Sequence, residues 1–258
     1  MRALAWVTDL HLMADEKIEL DIEGADGLIS TGDLCDGLGF TGRLRELQEK
    51  TALPLYFVLG NHERYGTTIS AAVESAMEID GEGDICYLTA HDPVLLDEHT
   101  ALIGHDAWAD GRDGDFLDSP IEVRDFDHIV DFSGRNRWER YERVKQLGDE
   151  AALALEPKLI SALGQRDSVL LAMHPAPFRE AAQYEGRMAD LHIAPHFVCH
   201  AVGEMLLRVM KHYPAKQLTV LCGHAHSRCE VVMRPNIVVK AGWRLAPQLI
   251  RTNLPSPV

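Results

Sequence analysis

Five short apolar runs in this chain end in side chains able to bind metal. "ALAWVT" (3–8) leads into Asp9 and His11, "LIST" (28–31) into Asp33 and Asp36, and "LYFVL" (55–59) into Asn61 and His62. "VLLAM" (169–173) leads into His174, and "LTVLC" (218–222) into His224 and His226. Short runs rich in Val, Leu and Ile, bounded by Gly, Pro or Asp, predict strands buried on both faces. Such strands belong to an α/β fold, where ligand sites gather outside the carboxyl ends of the sheet. Ligands at five such ends can meet at one point.

Helical patterns separate several of these runs. Leu44 and Leu47 predict a short helix before Pro54. From Arg137 onward, Trp138, Tyr141, Val144, Leu147, Ala151 and Leu155 recur at helical spacing, and Pro157 is expected to kink or restart that helix. Val198, Val202, Met205, Leu206, Val209 and Met210 predict an amphipathic helix ahead of the last histidine pair. The Gly- and Asp-rich segment "DGRDGDFLDSP" (110–120) predicts a loop. No repeat and no linker divides the chain. One domain over residues 1–258, carrying an inserted surface loop, is the expectation.

The net charge of -15 argues against a general nucleic-acid-binding role, which needs basic surface. It leaves an anionic substrate open, because bound metal reverses the local field. The opening "MRALAWVTDLHL" lacks a long apolar signal core, and no segment approaches the roughly 20 apolar residues that span a bilayer. Cys35, Cys86, Cys199, Cys222 and Cys229 are scattered, odd in number and without a CxxC pair, which fits reduced thiols. A cytoplasmic protein without a membrane partner is expected.

The chemistry lies at the strand ends. Asp9 and His11 offer a carboxylate and an imidazole on a short turn. Asp33 has two oxygens and can bridge two cations. Asn61 offers an amide oxygen, and His174, His224 and His226 offer nitrogens. Mixed oxygen and nitrogen donors suit Mn, Fe, Zn, Co or Ni more than Ca or Mg. Two metals roughly 3.5–4 Å apart are the usual arrangement for cleaving phosphate esters.

DLH (9–11), GDLCD (32–36), GNHE (60–63), HPAP (174–177) and GHAH (223–226) together resemble the motif series of the calcineurin-like metallophosphoesterases. The order matches, from Asp9 to His226. The resemblance implies a four-layer α/β/β/α sandwich with a dinuclear metal site at the carboxyl ends of the strands. It implies that Asp9, His11, Asp33 and His226 hold one divalent or mixed-valence transition-metal ion. Asp33, Asn61, His174 and His224 then hold the other. It makes His62 a substrate-facing residue and Asp36 the group that orients it. In that scheme the two cations acidify a shared water, the resulting hydroxide attacks phosphorus in line, and His62 protonates the leaving oxygen.

Substrate class is less constrained. Phosphoprotein phosphatases of this superfamily continue GDxxD with Arg-Gly, whereas Gly37 and Leu38 follow Asp36 here. Leu59 stands where an arginine precedes their third motif, yet Glu63 matches their version of it. The missing arginines favour a phosphodiesterase acting on a small phosphodiester or nucleotide. A phosphomonoesterase or phosphoprotein phosphatase is the alternative, and a non-catalytic binding module is a further one. Arg64 is either a phosphate contact or a surface residue. His105, Asp106 and Trp108 follow a further strand-like run, "TALIG" (100–104), and either reach the site's rim or pack against the sheet. His192 and His196 either line the pocket or pack elsewhere. Cys35 and Cys222, inside or beside motifs, read as small buried fillers.

Overall fold

The computed structural model describes residues 3–184, 186–243 and 247–252. Four strands open the chain, β1 (Ala3–Val7), β2 (Gly27–Ser30), β3 (Leu55–Phe57) and β4 (Ile85–Tyr87), and pair in parallel in that order. Next come β5 (Val94–Leu95), β6 (Thr100–Gly104) and β7 (Ser168–Ala172), then a small hairpin of β8 (Gln183–Tyr184) and β9 (Arg187–Met188). With β10 (Gln217–Cys222), β11 (Cys229–Arg234) and β12 (Ile237–Ala241), strands β5, β6 and β7 build a second sheet in the order β11-β12-β10-β7-β6-β5, and the β8/β9 hairpin stands apart. Its central strands β12, β10, β7 and β6 are parallel, and both edges are antiparallel. The last strand, β13 (Gln248–Arg251), returns to the first sheet antiparallel to β1.

Side-chain alternation sets the layers. On β1, Leu4 and Trp6 face one way and Ala5 and Val7 the other. On β7, Leu170 and Ala172 oppose Val169 and Leu171. Strand residues point alternately to the two faces of a sheet, so each strand feeds two cores. Leu4, Trp6, Ile29, Tyr56, Leu102, Leu170 and Leu221 form the core between the sheets. The outer face of the first sheet is covered by α1 (Phe40–Thr51) and α2 (Ile69–Ile79), through Phe40, Leu44, Leu47, Ala72, Ala76 and Ile79. A short helix, α3 (Asp125–His128), follows the 110–124 loop. The outer face of the second sheet is covered by α4 (Arg137–Gln165) and α5 (His200–Met210). Two helical layers thus enclose two sheets, the four-layer α/β/β/α order the motif series implies.

Local sequence explains the helix ends and one departure. Asn136 and Glu139 cap α4 reciprocally, each side chain accepting the other's backbone N–H. The helix then runs through Pro157 without a break, where a restart was an expectation. Proline denies a hydrogen bond to the carbonyl four residues back, that of Leu153. Leu153 and Pro157 both lie on the exposed face, where water can take that carbonyl. The predicted last helix begins at His200, so Val198 lies ahead of it, bridged to Ala176. The 110–120 segment is irregular, as its composition predicts.

All five cysteines are free, and burial pushes the Cys35 and Cys199 thiols up to about 12. No helix among the described residues is long and apolar enough to cross a membrane. Leu221 is fully buried between the sheets. Leu221→Ala should cost about 2–5 kcal/mol in urea unfolding, because a core cavity adds to the lost transfer energy.

Candidate metal centre

Every motif residue sits just beyond the carboxyl end of a parallel strand. Asp9 and His11 follow β1, Asp33 and Asp36 follow β2, and Asn61 and His62 follow β3. His174 follows β7, while His224 and His226 follow β10. The backbone there is unusual. Asp9, His11, Asp33, His224 and His226 all have positive φ, from 45° at His11 to 70° at His224. Each such non-glycine residue costs of order 1–3 kcal/mol and persists only where its surroundings enforce it.

The enforcement is visible. His11 N–H donates to the Asp33 carbonyl and Leu12 N–H to that of Leu34, lacing the first two loops together. Glu63, almost fully buried, accepts the backbone N–H groups of Asp33 (3.1 Å), Leu34 (2.6 Å) and Gly60 (2.7 Å). It therefore joins the second and third motif loops. Gly60 is required where it stands, since a Cβ there would land on the Asp33 side chain. His224 N–H donates to Asp9 Oδ1 at 2.9 Å, which draws in the last loop.

The side chains form two donor groups that share one carboxylate. Asp9, His11, Asp33 and His226 make one, with ligand atoms within 4.8 Å of one another. Asp33, His174 and His224 make the other. Asn61 Oδ1 joins the second at 3.0 Å from His174 Nε2. Asp33 Oδ1 accepts the His62 backbone N–H at 3.0 Å, whereas its Oδ2 is buried with no hydrogen-bond partner. That orphaned oxygen lies 3.2 Å from His174 Nε2 and 3.9 Å from His11 Nε2. His11 Nε2 and His226 Nε2 are aimed at each other, 2.9 Å apart. Unpartnered carboxylate oxygen and converging imidazole nitrogens are the donor set of divalent transition metals, so the residues fit a pair of cations.

Hydrogen bonds outside the cluster select the ring nitrogens. His174 Nδ1 donates to the Thr31 carbonyl at 2.8 Å, which turns Nε2 inward. His224 Nε2 donates to the His196 carbonyl at 2.8 Å, which leaves Nδ1 as the nitrogen available to a cation. Such outer contacts fix tautomer and ring orientation. Burial pushes His11 down to about 4 and also lowers His224, keeping both neutral and able to ligate. Burial would raise the Asp33 carboxyl, but contact with His174 holds it well below the usual range. In turn Asp33 raises His174 against its own burial. A cation held by this pair would displace the proton on His174 Nε2.

His62 and Asp36 lie beside the cluster. His62 Nδ1 meets Asp36 Oδ1 at 2.6 Å, and Nε2 points inward, 3.9 Å from Asp33 Oδ2. Above them runs an open groove. One part, about 780 Å³, is bordered by His11, Asp36, His62, Arg124 and His226. The other, about 340 Å³, adds Asn61, Tyr65, Tyr184 and Phe197. His62, Arg124 and His226 border both.

Several open expectations resolve here. Arg64 is neither a surface residue nor free to meet phosphate, because it is buried and pairs with Asp106 at 2.8 Å. Asp106 is buried as well and also accepts Leu59 N–H, Tyr87 O–H and Thr89 O–H, so it braces loops under the site. His105 accepts the Ala107 N–H, and burial lowers it to about 4. Trp108 packs with Phe132 beneath the Arg64 guanidinium. His192 is exposed and borders neither part of the groove. His196 is buried, borders the smaller part of the groove and reaches the cluster through its carbonyl. Cys35 and Cys222 are buried fillers.

Two neighbours escaped sequence reasoning. Asp125 Oδ1 accepts from Asn61 Nδ2 at 2.7 Å and from Tyr65 O–H at 2.8 Å, holding the Asn61 amide with its oxygen toward His174. Arg124 precedes it. Both lie just beyond the loop segment, where no motif marks them; an acid and a base ahead of an aromatic were the only signal.

The chain belongs to the calcineurin-like phosphoesterase family, whose model matches residues 4–228. It is thereby a metal-dependent phosphoric ester hydrolase. Among solved structures, the phosphopantetheinyl hydrolase PptH from Mycobacterium tuberculosis aligns with a TM-score of 0.67 at 11% identity, over 94% of this chain and 90% of that one. A dimetal phosphatase from Danio rerio aligns at 0.54 and 13% identity, over 93% and 86%. GAP50, the anchor in the inner membrane complex of Plasmodium, aligns at 0.51 and 12% identity, over 93% and 70%. No curated protein matches the sequence. At these identities the likeness shows the fold.

Asp125→Ala should weaken metal binding about 10- to 100-fold, the usual scale for losing a group that orients a ligand. Titration of metal-stripped protein with Mn or Zn, followed by calorimetry, measures it.

Proposed function

We propose that this protein is a phosphodiesterase for a small phosphodiester or nucleotide, working at two divalent transition-metal ions. The observation that carries the metal-centred reading is Asp33 Oδ2, buried without a hydrogen-bond partner between two sets of donors. Asp9, His11, Asp33 and His226 would hold one ion, and Asp33, Asn61, His174 and His224 the other. Mn, Fe, Zn, Ni and Co all suit these donors. Bound there, the ions supply Lewis acidity toward phosphate oxygens and toward water.

The chain's own residues do the rest. Asp33 and Asp9 are the only carboxylates in the two donor groups, so two divalent ions leave the centre net positive and attractive to phosphate. His62 directs Nε2 over the cluster, and Asp36 holds its Nδ1–H. From that position His62 delivers a proton to the leaving oxygen while Asp36 steadies the ring. The size of the open groove, about 780 Å³ and 340 Å³ on its two sides, supports a substrate with two arms.

The alternative of a phosphoprotein phosphatase drew on Glu63, but its three backbone hydrogen bonds account for that residue without reference to substrate. The binding-module alternative has a precedent in fold, since GAP50 is described as an anchor. Against it stands a set of seven candidate ligands gathered beneath His62. We also read the chain as one domain, and its free, scattered cysteines as suited to the reducing cytoplasm.

Metal-stripped protein reloaded with Mn, Ni, Zn or Fe should hydrolyse bis-p-nitrophenyl phosphate faster than p-nitrophenyl phosphate, and Asp33→Asn should abolish both activities. A preference for the monoester would overturn the diester assignment. In His62→Ala, kcat should fall about 10²- to 10⁴-fold, with metal content by elemental analysis unchanged. Parallel loss of metal and activity would make His62 a ligand instead.

A further inference from the structure

Arg124 borders both parts of the groove and has no acidic or carbonyl partner among the described residues. Its one described contact is the Tyr65 ring, 5.5 Å from ring centroid to guanidinium carbon. Apart from Asp33, in the donor cluster itself, the other acidic and basic side chains bordering the groove are paired. Arg43, also at the groove, is held by Glu46 at 2.7 Å and by the carbonyls of Met13 and Ala14. Glu122 pairs with Arg137 at 2.7 Å and lies 3.9 Å from Arg140. Asp36 is on His62, and Asp125 is on Asn61 and Tyr65. On a chain of net charge -15, with acids in excess, a cation left unpaired at this mouth points to an anion that comes from outside.

The placement of Arg124 is also built in. Its carbonyl accepts the N–H groups of Asp127 and His128, which starts α3. The next residue, Asp125, is buried and bonded to the candidate ligand Asn61. Gly66 N–H donates to the His128 carbonyl and Val130 N–H to that of Thr67, so this segment is tied to the loop after β3. Tyr65, beneath the Arg124 guanidinium, contacts His62 on a centroid distance of 4.3 Å. Arg124 and His62 therefore serve the same patch of groove.

We infer that Arg124 is a substrate-binding residue whose guanidinium grips the non-ester oxygens of the reacting phosphate beside His62. A planar fork of N–H donors matches two phosphate oxygens, and stacking on Tyr65 limits the freedom lost on binding. The inference rests on the phosphate-ester function but not on the preference for diesters.

Orthophosphate binding to metal-loaded protein, measured by calorimetry, tests it without turnover. Arg124→Ala should weaken orthophosphate about 10- to 100-fold, the scale of a charge-assisted pair. It should raise KM for both nitrophenyl esters, with both metals and Tm retained. Arg124→Lys should recover part of the loss, because it keeps the charge without the fork. Orthophosphate affinity and KM within about twofold of the parent protein in Arg124→Ala would overturn the inference. So would loss of metal in step with affinity, which would make Arg124 a structural residue. Monoester preference in the parent protein would sink the diester assignment and leave the orthophosphate measurement intact.

Discussion

One carboxylate oxygen organises this protein. Asp33 Oδ2 is buried without a hydrogen-bond partner, and a charged oxygen in that state is costly unless something positive reaches it. His174, raised by this contact, reaches it from the second sheet at 3.2 Å, while the neutral His11 ring stands 3.9 Å away on the first. The two donor groups share this residue, so whatever holds Asp33 in place holds the centre. Its Oδ1 is fixed by the His62 N–H and its backbone N–H by Glu63.

Around that point, stability is given up locally. Asp33 itself and four residues around it, Asp9, His11, His224 and His226, lie in the left-handed region of backbone space. None is glycine, and each would relax in a free loop. They are kept there by hydrogen bonds between loops and by two packed sheets beneath. The core between the sheets, with Trp6, Leu170 and Leu221, makes both sets of strand ends into one rigid platform. Parallel strands aim those ends the same way, which is why loops far apart in the chain meet.

The segment from 110 to 136 completes the centre from the side. It brings Asp125 to the Asn61 amide and Arg124 to the groove. Beneath it, the buried Arg64–Asp106 pair and the Trp108–Phe132 packing give it a firm base. The wall it forms comes from residues after the predicted 110–120 loop, Arg124 and Asp125.

Much of this was legible in the chain itself. The apolar runs marked five strands, because burial on both faces leaves a local signature that needs no partner to be seen. The residues at their ends showed the donor types, and their order carried the family resemblance. Hidden were the interactions that join distant segments. Asn61 meets Asp125 across 64 residues, and Arg64 meets Asp106 across 42. Neither pair follows a period or a motif. Glu63 looked like a mark of substrate class and turned out to be a clasp for three amides. Pro157 was expected to kink or restart a helix that instead runs on past it, on an exposed face where water can take the Leu153 carbonyl. Local pattern determined the strands and the donor chemistry, and the resemblance of the ordered motifs to a known family carried the class of reaction. The tertiary structure decided which charges are spent on one another and which, like that of Arg124, are left at the groove without an acidic partner among the described residues, since charge pairing depends on distances in space that no spacing in sequence encodes.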